Sequence, residues 1–387
     1  MNARRACATT AGLLLGVTIA TAALAQKQGG ILRVQHRDSP ASMSILEEGS
    51  VSAIMPSMGV FNNLILFDQH VPQNRVESIV PDLATSWSWS EDGTELTFKL
   101  REGVKWHDGK PFTAADVKCT YDLLTGKAKE KLRLNYREAW FFNVDEVTTN
   151  GDSEASFHLK RPQPVLLSLL ASGYSPIYPC HVSARDMRTH PIGTGPFKFA
   201  EYKPNQSIKV TRNPDYWRPG RTYLDGIEYT MIADRSTAIL AFVTGKFDMT
   251  FPYDVTVPLL KDVKSQAPQA ICELKPMNGR ANLLVTGAPP FDNPVLRRAM
   301  NLDRKAFVDI LSEGINDIGA VLQPPPEGIW GMPPEILQSL PGYGPDVAKN
   351  REEARALMRL VGYRPDNRLK VKVSTAISPG IAIRLRS

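Results

Sequence analysis

Chemistry in this chain is sought first at its histidines, cysteines and glycine-rich turns. His107 stands beside Asp108, a pair that could activate a nucleophile if a serine or cysteine lay within reach. The surrounding run is Trp106-His107-Asp108-Gly109-Lys110, with no such partner, and Asp-Gly is a turn signal in which Gly109 can take positive φ. The pair therefore reads as part of a turn. Gly193-Thr194-Gly195-Pro196 shares only its glycines with a phosphate loop. It lacks the lysine and following Ser or Thr, and it leads into the alternating run Phe197 to Tyr202 instead of opening a helix. Its two glycines read as a place where backbones cross too closely for side chains. The six histidines, His36, His70 and His107 among them, form no pair at helical metal-ligand spacing, and Cys119, Cys180 and Cys272 match no zinc pattern. No nucleophile with its base and no carboxylate pair is visible. The expectation is a protein that binds, with no enzyme activity, no metal and no cofactor.

The elements that must position such a binding site come from a chain of 387 residues, 42% hydrophobic and 22% charged, which is long enough for a large core and more than one domain. Its 30 prolines are spread along the sequence and favour a mixed fold with many turns. Arg4 and Arg5, an apolar run from Ala11 to Ala20, and Ala23-Leu24-Ala25 before Gln26 read as a cleavable secretory signal, residues 1–25. The apolar run is well short of the ~20 residues a membrane span needs, and Cys7 precedes it, so it is not placed as a lipid-bearing cysteine. A mature chain starting near Gln26 is expected in the periplasm, where disulfides are permitted. Of Cys119, Cys180 and Cys272 one bridge can form, and the sequence does not choose the pair. The net charge of +6 falls to +4 once Arg4 and Arg5 leave, with no basic block, which argues against nucleic acid.

Local patterns then mark individual elements. Ile31 to Gln35 follows Gly29-Gly30 and alternates as a first strand does. Val51 to Phe67 is apolar-rich and is expected to pack as a helix. Glu95 to Val104 alternates after the tight turn Glu91-Asp92-Gly93, which predicts a hairpin. Thr113, with Asp116 three residues on, predicts a capped helix running through Val117 and Tyr121 to Leu124. A second hairpin is predicted from Val144–Thr149 and Ser156–Lys160 across Asn150-Gly151-Asp152. The alternation of strands and helices gives an α/β fold class without internal repeats.

Four blocks in order carry a family resemblance. They are Trp87-Ser88-Trp89 followed by Leu96 to Val117 (LTFKLREGVKWHDGKPFTAADV); Gly193 to Tyr229 with Thr244 to Asp248; Pro289 to Leu311; and Asn350 to Tyr363. Together they resemble the peptide, nickel and oligosaccharide binding proteins of ABC importers, the family 5 extracytoplasmic solute-binding proteins. The hallmarks are mostly turns and caps, so they mark architecture better than ligand. Asn213-Pro214-Asp215-Tyr216-Trp217, for instance, reads as turn scaffolding.

The resemblance implies a two-lobed α/β clamp that closes by hinge motion, with an extra domain inserted in the first lobe. Residues 26–60 and 185–275 would form lobe I, 61–184 the inserted domain, and 276–387 the start of lobe II. The region from Gly193 to Tyr229 must then share a sheet with the N-terminal strand. The implied partners are a peptide ligand and the permease subunits of an importer, with the binding protein itself a monomer; nickel-chelate, opine or oligosaccharide ligands are the alternatives on the same fold. Glu48, Gly49, Ser50 and Val51 resemble the stretch that offers backbone to an extended peptide. Arg280 and Asn282 are further candidates near the lobe crossing. After Leu369 to Thr375 the rest of the second lobe is expected, yet the sequence ends at Ser387, which reads as a truncated frame and a weakly binding or non-binding fragment. The run Ala299 to Arg304 also looks two residues short, which would turn the following helix by about 200°.

Overall fold

The computed structural model describes residues 28–71, 74–252, 254, 255, 257–273, 285, 287–302 and 333–372. Strand β1 (Ile31–His36) follows the Gly29-Gly30 punctuation as expected. It pairs in parallel with β10 (Gly226–Met231), Ile31 opposite Gly226 and Val34 opposite Tyr229. β10 continues antiparallel onto β9 (Ser207–Arg212), and β9 onto β8 (Phe197–Lys203), giving a four-stranded sheet of order β1-β10-β9-β8. The stretch from Gly193 to Tyr229 thus stands beside the N-terminal strand, as the family likeness requires.

A second sheet lies between these strands in sequence. β4 (Ala84–Trp89) and β5 (Glu95–Leu100) form the predicted hairpin, and Gly93 takes a φ of 68° in its turn. β6 (Val144–Asn150) and β7 (Glu154–Leu159) form the other, giving the antiparallel order β4-β5-β7-β6. Helix α2 (Ala114–Leu124) begins at Thr113 and packs on this sheet, its Tyr121 ring 4.6 Å from Phe157 and 5.3 Å from Phe141. The cap is more than local. One oxygen of Asp116 accepts from the Thr113 amide at 2.9 Å and from the Trp106 indole at 3.2 Å, and the other accepts from the Cys180 amide at 2.8 Å. Cys180 is also bonded to Cys119, with Cα atoms 5.6 Å apart, and Cys272 is free.

The helix expected over Val51 to Phe67 is shorter. Helix α1 is Val51–Ser57, with Pro56 inside it, and the chain turns at Met58 to Val60 before β2 (Ile65–Phe67) pairs with β3 (Ile79–Pro81). The cause is a competing set of partners. The Gly59 carbonyl accepts from the Phe197 amide and the Val60 carbonyl from the Gly195 amide, both at 2.9 Å, so these groups serve a passing strand and not the next helical turn. A Cβ on Gly193 would stand 1.9 Å from the Val60 oxygen, and one on Gly195 would stand 2.6 Å from the Val60 carbonyl carbon. The close backbone crossing expected at these glycines is present. His107 locks it. Gly193 N–H donates to Nδ1 at 3.2 Å, so the proton sits on Nε2, which donates to the Gly195 carbonyl at 3.0 Å.

One contiguous core joins the two sheets, from Val34, Ile208 and Tyr229 through Leu46 and Phe61 to Phe98, Trp106 and Phe157. Helix α3 (Leu166–Leu170) comes after β7, and beyond the core α4 (Arg235–Val243) and α5 (Val257–Gln266) follow β10. Later come α6 (Pro294–Met300), α7 (Pro334–Ser339) and α8 (Val347–Leu360). An Arg298–Glu353 ion pair at 2.6 Å ties α6 to α8. The run Ala299 to Arg304 passes out of the described residues after Leu302, and Arg280, Asn282 and residues 1–27 lie outside them. Among the described residues no helix is long and apolar enough to cross a membrane, and no cluster of His, Cys, Asp and Glu could hold a metal ion.

Candidate functional site

Between β1 and α1 the chain runs from residue 37 to residue 50 without joining any of the three described sheets, so side chains from elsewhere must fix it. Glu47 is fully buried and accepts two bonds from the Arg188 guanidinium, at 2.7 and 2.8 Å, and one from the Arg133 amide at 2.5 Å. Burial alone would push its pKa up; the Arg188 and Arg133 donors outweigh that and hold it below the usual value. The neighbouring Glu48 goes the other way. Burial raises it, with the Glu47 charge adding to the shift, and the Ser42 hydroxyl (3.3 Å) and amide and Arg133 at 3.9 Å oppose it only in part. Tyr178 supplies a further anchor, its hydroxyl accepting from the Leu46 amide at 3.2 Å and standing 3.3 Å from the Ser44 hydroxyl.

A further anchor is Arg137. Its Nη2 donates to the Glu48 carbonyl at 2.8 Å, and its guanidinium carbon lies 5.4 Å from the centre of the Tyr174 ring. The residue is 1% exposed, yet Nε and Nη1 are buried with no partner among the described residues. Burial lowers its pKa, a mark of a cation held away from water without a carboxylate at hand. Around it stand aromatic surfaces that solvent reaches. Tyr136 is 57% exposed and would lie 3.9 Å from a Cβ on Gly49, and Trp140 meets the Tyr174 ring edge-on at 5.5 Å.

Four of the six residues singled out from sequence thus fall in one place. Glu48, Gly49, Ser50 and Val51 form a continuous stretch, with Gly49, Ser50 and Val51 exposed and Ser50 preceding α1. Arg280 and Asn282 lie outside the described residues. Sequence reading missed the residues that hold the stretch: Glu47, Arg137, Tyr178 and Arg188. Arg137 sits in Asn135-Tyr136-Arg137-Glu138-Ala139-Trp140, a polar and aromatic run with no periodic signal of burial. The only local hint is the doubled acid Glu47-Glu48, since two adjacent carboxylates need cations or burial to coexist.

With the fold and this segment in view, the description "Bacterial extracellular solute-binding proteins, family 5 Middle" matches residues 78–380. The chain belongs to this family. Among curated relatives of this family 5 chain, the glutathione-binding protein GsiB of Escherichia coli O1:K1 / APEC is 30% identical over 288 residues, which is 73% of this chain and 52% of that protein. The chain therefore spans about half the length of the curated relatives it matches. Among solved structures, the periplasmic binding protein DppA from Helicobacter pylori in complex with peptide STSA has a TM-score of 0.70 at 24% identity, covering 87% of this chain and 67% of that one. The binding protein AgaA from A. tumefaciens R10 in complex with agropinic acid has a TM-score of 0.65 at 22% identity, covering 86% and 65%. These likenesses give the family 5 chain its two-lobed α/β fold class, in a family of binding proteins and not of enzymes.

Proposed function

We propose that this chain captures a small peptide or peptide-like acid in the periplasm for an ABC importer and delivers it to the permease subunits, with a ligand carboxylate received at Arg137 beside the stretch Glu48 to Val51. Lobe I would comprise residues 26–60 and 185–275, the inserted domain 61–184, and lobe II would begin at 276. The observation that carries the reading is the buried guanidinium with two nitrogens, Nε and Nη1, unpartnered among the described residues, next to a backbone stretch that joins no described sheet. A carboxylate admitted there by a shift of the side chains that now cover the guanidinium would restore to Nε and Nη1 the bonds that burial removed. Glutathione, the peptide STSA and agropinic acid, named with the relatives above, are all carboxylic acids. Gly49 and Ser50 would offer backbone to an extended ligand, and Tyr136 and Trp140 an apolar wall.

Isothermal titration of the 387-residue protein with di- to pentapeptides, glutathione and an opine, each against its carboxamide or ester form, tests this reading. Free acids are expected to bind more tightly than blocked forms, and Arg137→Met to erase the preference at a loss of about 10- to 100-fold, the range of one charge-assisted bond. Equal affinity for acids and their amides, or tight binding only of neutral sugars, would overturn it. An acid preference that survives Arg137→Met would place the carboxylate elsewhere.

A further inference from the structure

Apart from Arg133 and Arg137, several anchors of the segment 42–50 come from one loop. Tyr178 and Arg188 lie ten residues apart in a stretch that has, beyond α3 (Leu166–Leu170), only a short 3-10 turn at Asp186–Arg188. From it come the Tyr178 hydroxyl at Leu46 and Ser44, the Arg188 guanidinium at Glu47, and the Arg188 carbonyl, which accepts from the Met43 amide at 2.9 Å. The loop is itself held to α2 next to Tyr178. The Tyr178 amide donates to the Thr120 hydroxyl at 2.9 Å, and the adjacent Cys119 is bonded to Cys180. The Tyr178 ring stacks on Phe61 at 5.3 Å, and Phe61 belongs to the turn that meets the Gly195 crossing.

We infer that Tyr178 is a positioning residue for the ligand-contacting segment, and that the Cys119–Cys180 bridge sets ligand affinity by fixing where its hydroxyl stands. The hydroxyl holds the Leu46 amide, two residues before the Glu48 carbonyl that Arg137 grips, so a shift of the loop moves the candidate stretch relative to that guanidinium. The loop supplies Tyr178 to Ser44 and Leu46 and Arg188 to Glu47, which the Arg133 amide holds as well, while the bridge ties the loop to a cysteine 61 residues back along the chain. The link to affinity rests on the binding reading above; the link from bridge to segment does not.

The test uses hydrogen exchange without ligand, then titration with the tetrapeptide Ser-Thr-Ser-Ala as probe. Three forms of the full chain are compared: wild type, Tyr178→Phe, and wild type treated with dithiothreitol. That dithiol passes two electrons to the bridge; the S–S bond breaks, each cysteine sulfur takes one proton, and the reagent closes into its own cyclic disulfide. Tyr178→Phe keeps the ring against Phe61 and removes only the hydroxyl. Amides 43–48 are expected to exchange about tenfold faster in both altered forms, with β4 to β7 still protected, and reduction of Tyr178→Phe is expected to add little more. Probe affinity should fall in parallel by about 5- to 20-fold.

Unchanged exchange over 43–48 after reduction would overturn the inference, as would additive effects of reduction and Tyr178→Phe, because both say that the bridge does not act through the hydroxyl. Uniform loss of protection across both sheets would also overturn it, by showing global destabilisation alone. If the reduced protein unfolds, Cys119→Ala with Cys180→Ala replaces it, read the same way. Should 43–48 respond as expected while Ser-Thr-Ser-Ala fails to bind any form, the positioning stands and the peptide reading fails.

Discussion

Replacing Gly193 by alanine is expected to destabilise the protein by about 3 kcal/mol or more, among the largest losses any single methyl group can cause here. The added carbon would lie 1.9 Å from the Val60 carbonyl oxygen and 2.7 Å from its carbon, both backbone atoms that no rotamer change can move aside. Relief would need the turn at 58–60 to separate from the strand β8. That turn's carbonyls hold the Gly195 and Phe197 amides, so separation gives up two buried backbone bonds as well. Gly287→Ala is the control, since no described residue lies within 4 Å of the position a Cβ would take there, and it should fall within about 0.5 kcal/mol of wild type. Urea denaturation followed by circular dichroism measures both; equal midpoints for the two variants would refute the close-crossing account.

The second large effect is a pH dependence at the same crossing. Burial, aided by Lys198, pushes the His107 pKa down to about 4, while the bond to Gly195 and the neighbouring Asp108 oppose the shift only in part. An unfolded histidine takes a proton near pH 6.5. Between these values the unfolded chain binds a proton that the folded one does not, so the stability His107 supplies is complete above pH 6.5 and is lost as pH falls toward 4. The loss over that window is about 3 kcal/mol. Other acids titrate in the same range, so the measurement is a difference. Denaturation of wild type and His107→Gln from pH 7.5 to 4 should show a wild-type advantage above pH 6.5 that shrinks steadily below it. Parallel curves would mean that the imidazole is free to protonate in the folded protein.

Elements decided by neighbours in sequence were legible: the β4–β5 and β6–β7 hairpins with their Asp-Gly and Asn-Gly-Asp turns, the Thr113–Asp116 cap, and the two glycines of the crossing. Elements decided at long range were not. The helix foreseen through Phe67 ends near Ser57 because the carbonyls beyond it are claimed by amides about 135 residues away along the chain, and no local pattern announces that. The disulfide is similar: three cysteines left the choice open, and the packing of α2 against the 178–184 loop selects Cys119 and Cys180. At the candidate site the stretch Glu48 to Val51 could be named from family likeness. Its supports could not, because a buried Arg137 and a solvated one have the same letter, and the partners of Glu47 lie 86 and 141 residues downstream.

The parallel pairing of β1 with β10 also bears on how the protein reaches its native state. Its partners are 195 residues apart, as between Ile31 and Gly226, whereas the β4 to β7 sheet is assembled entirely from residues between 84 and 159. Closing the longer loop costs more chain entropy and yields no contacts until it is done, so contact order assigns it to the late, slow phase of folding. A chain emerging N-terminus first would therefore complete its middle sheet while its first strand still waits, an exposed edge in need of a chaperone until residue 226 arrives.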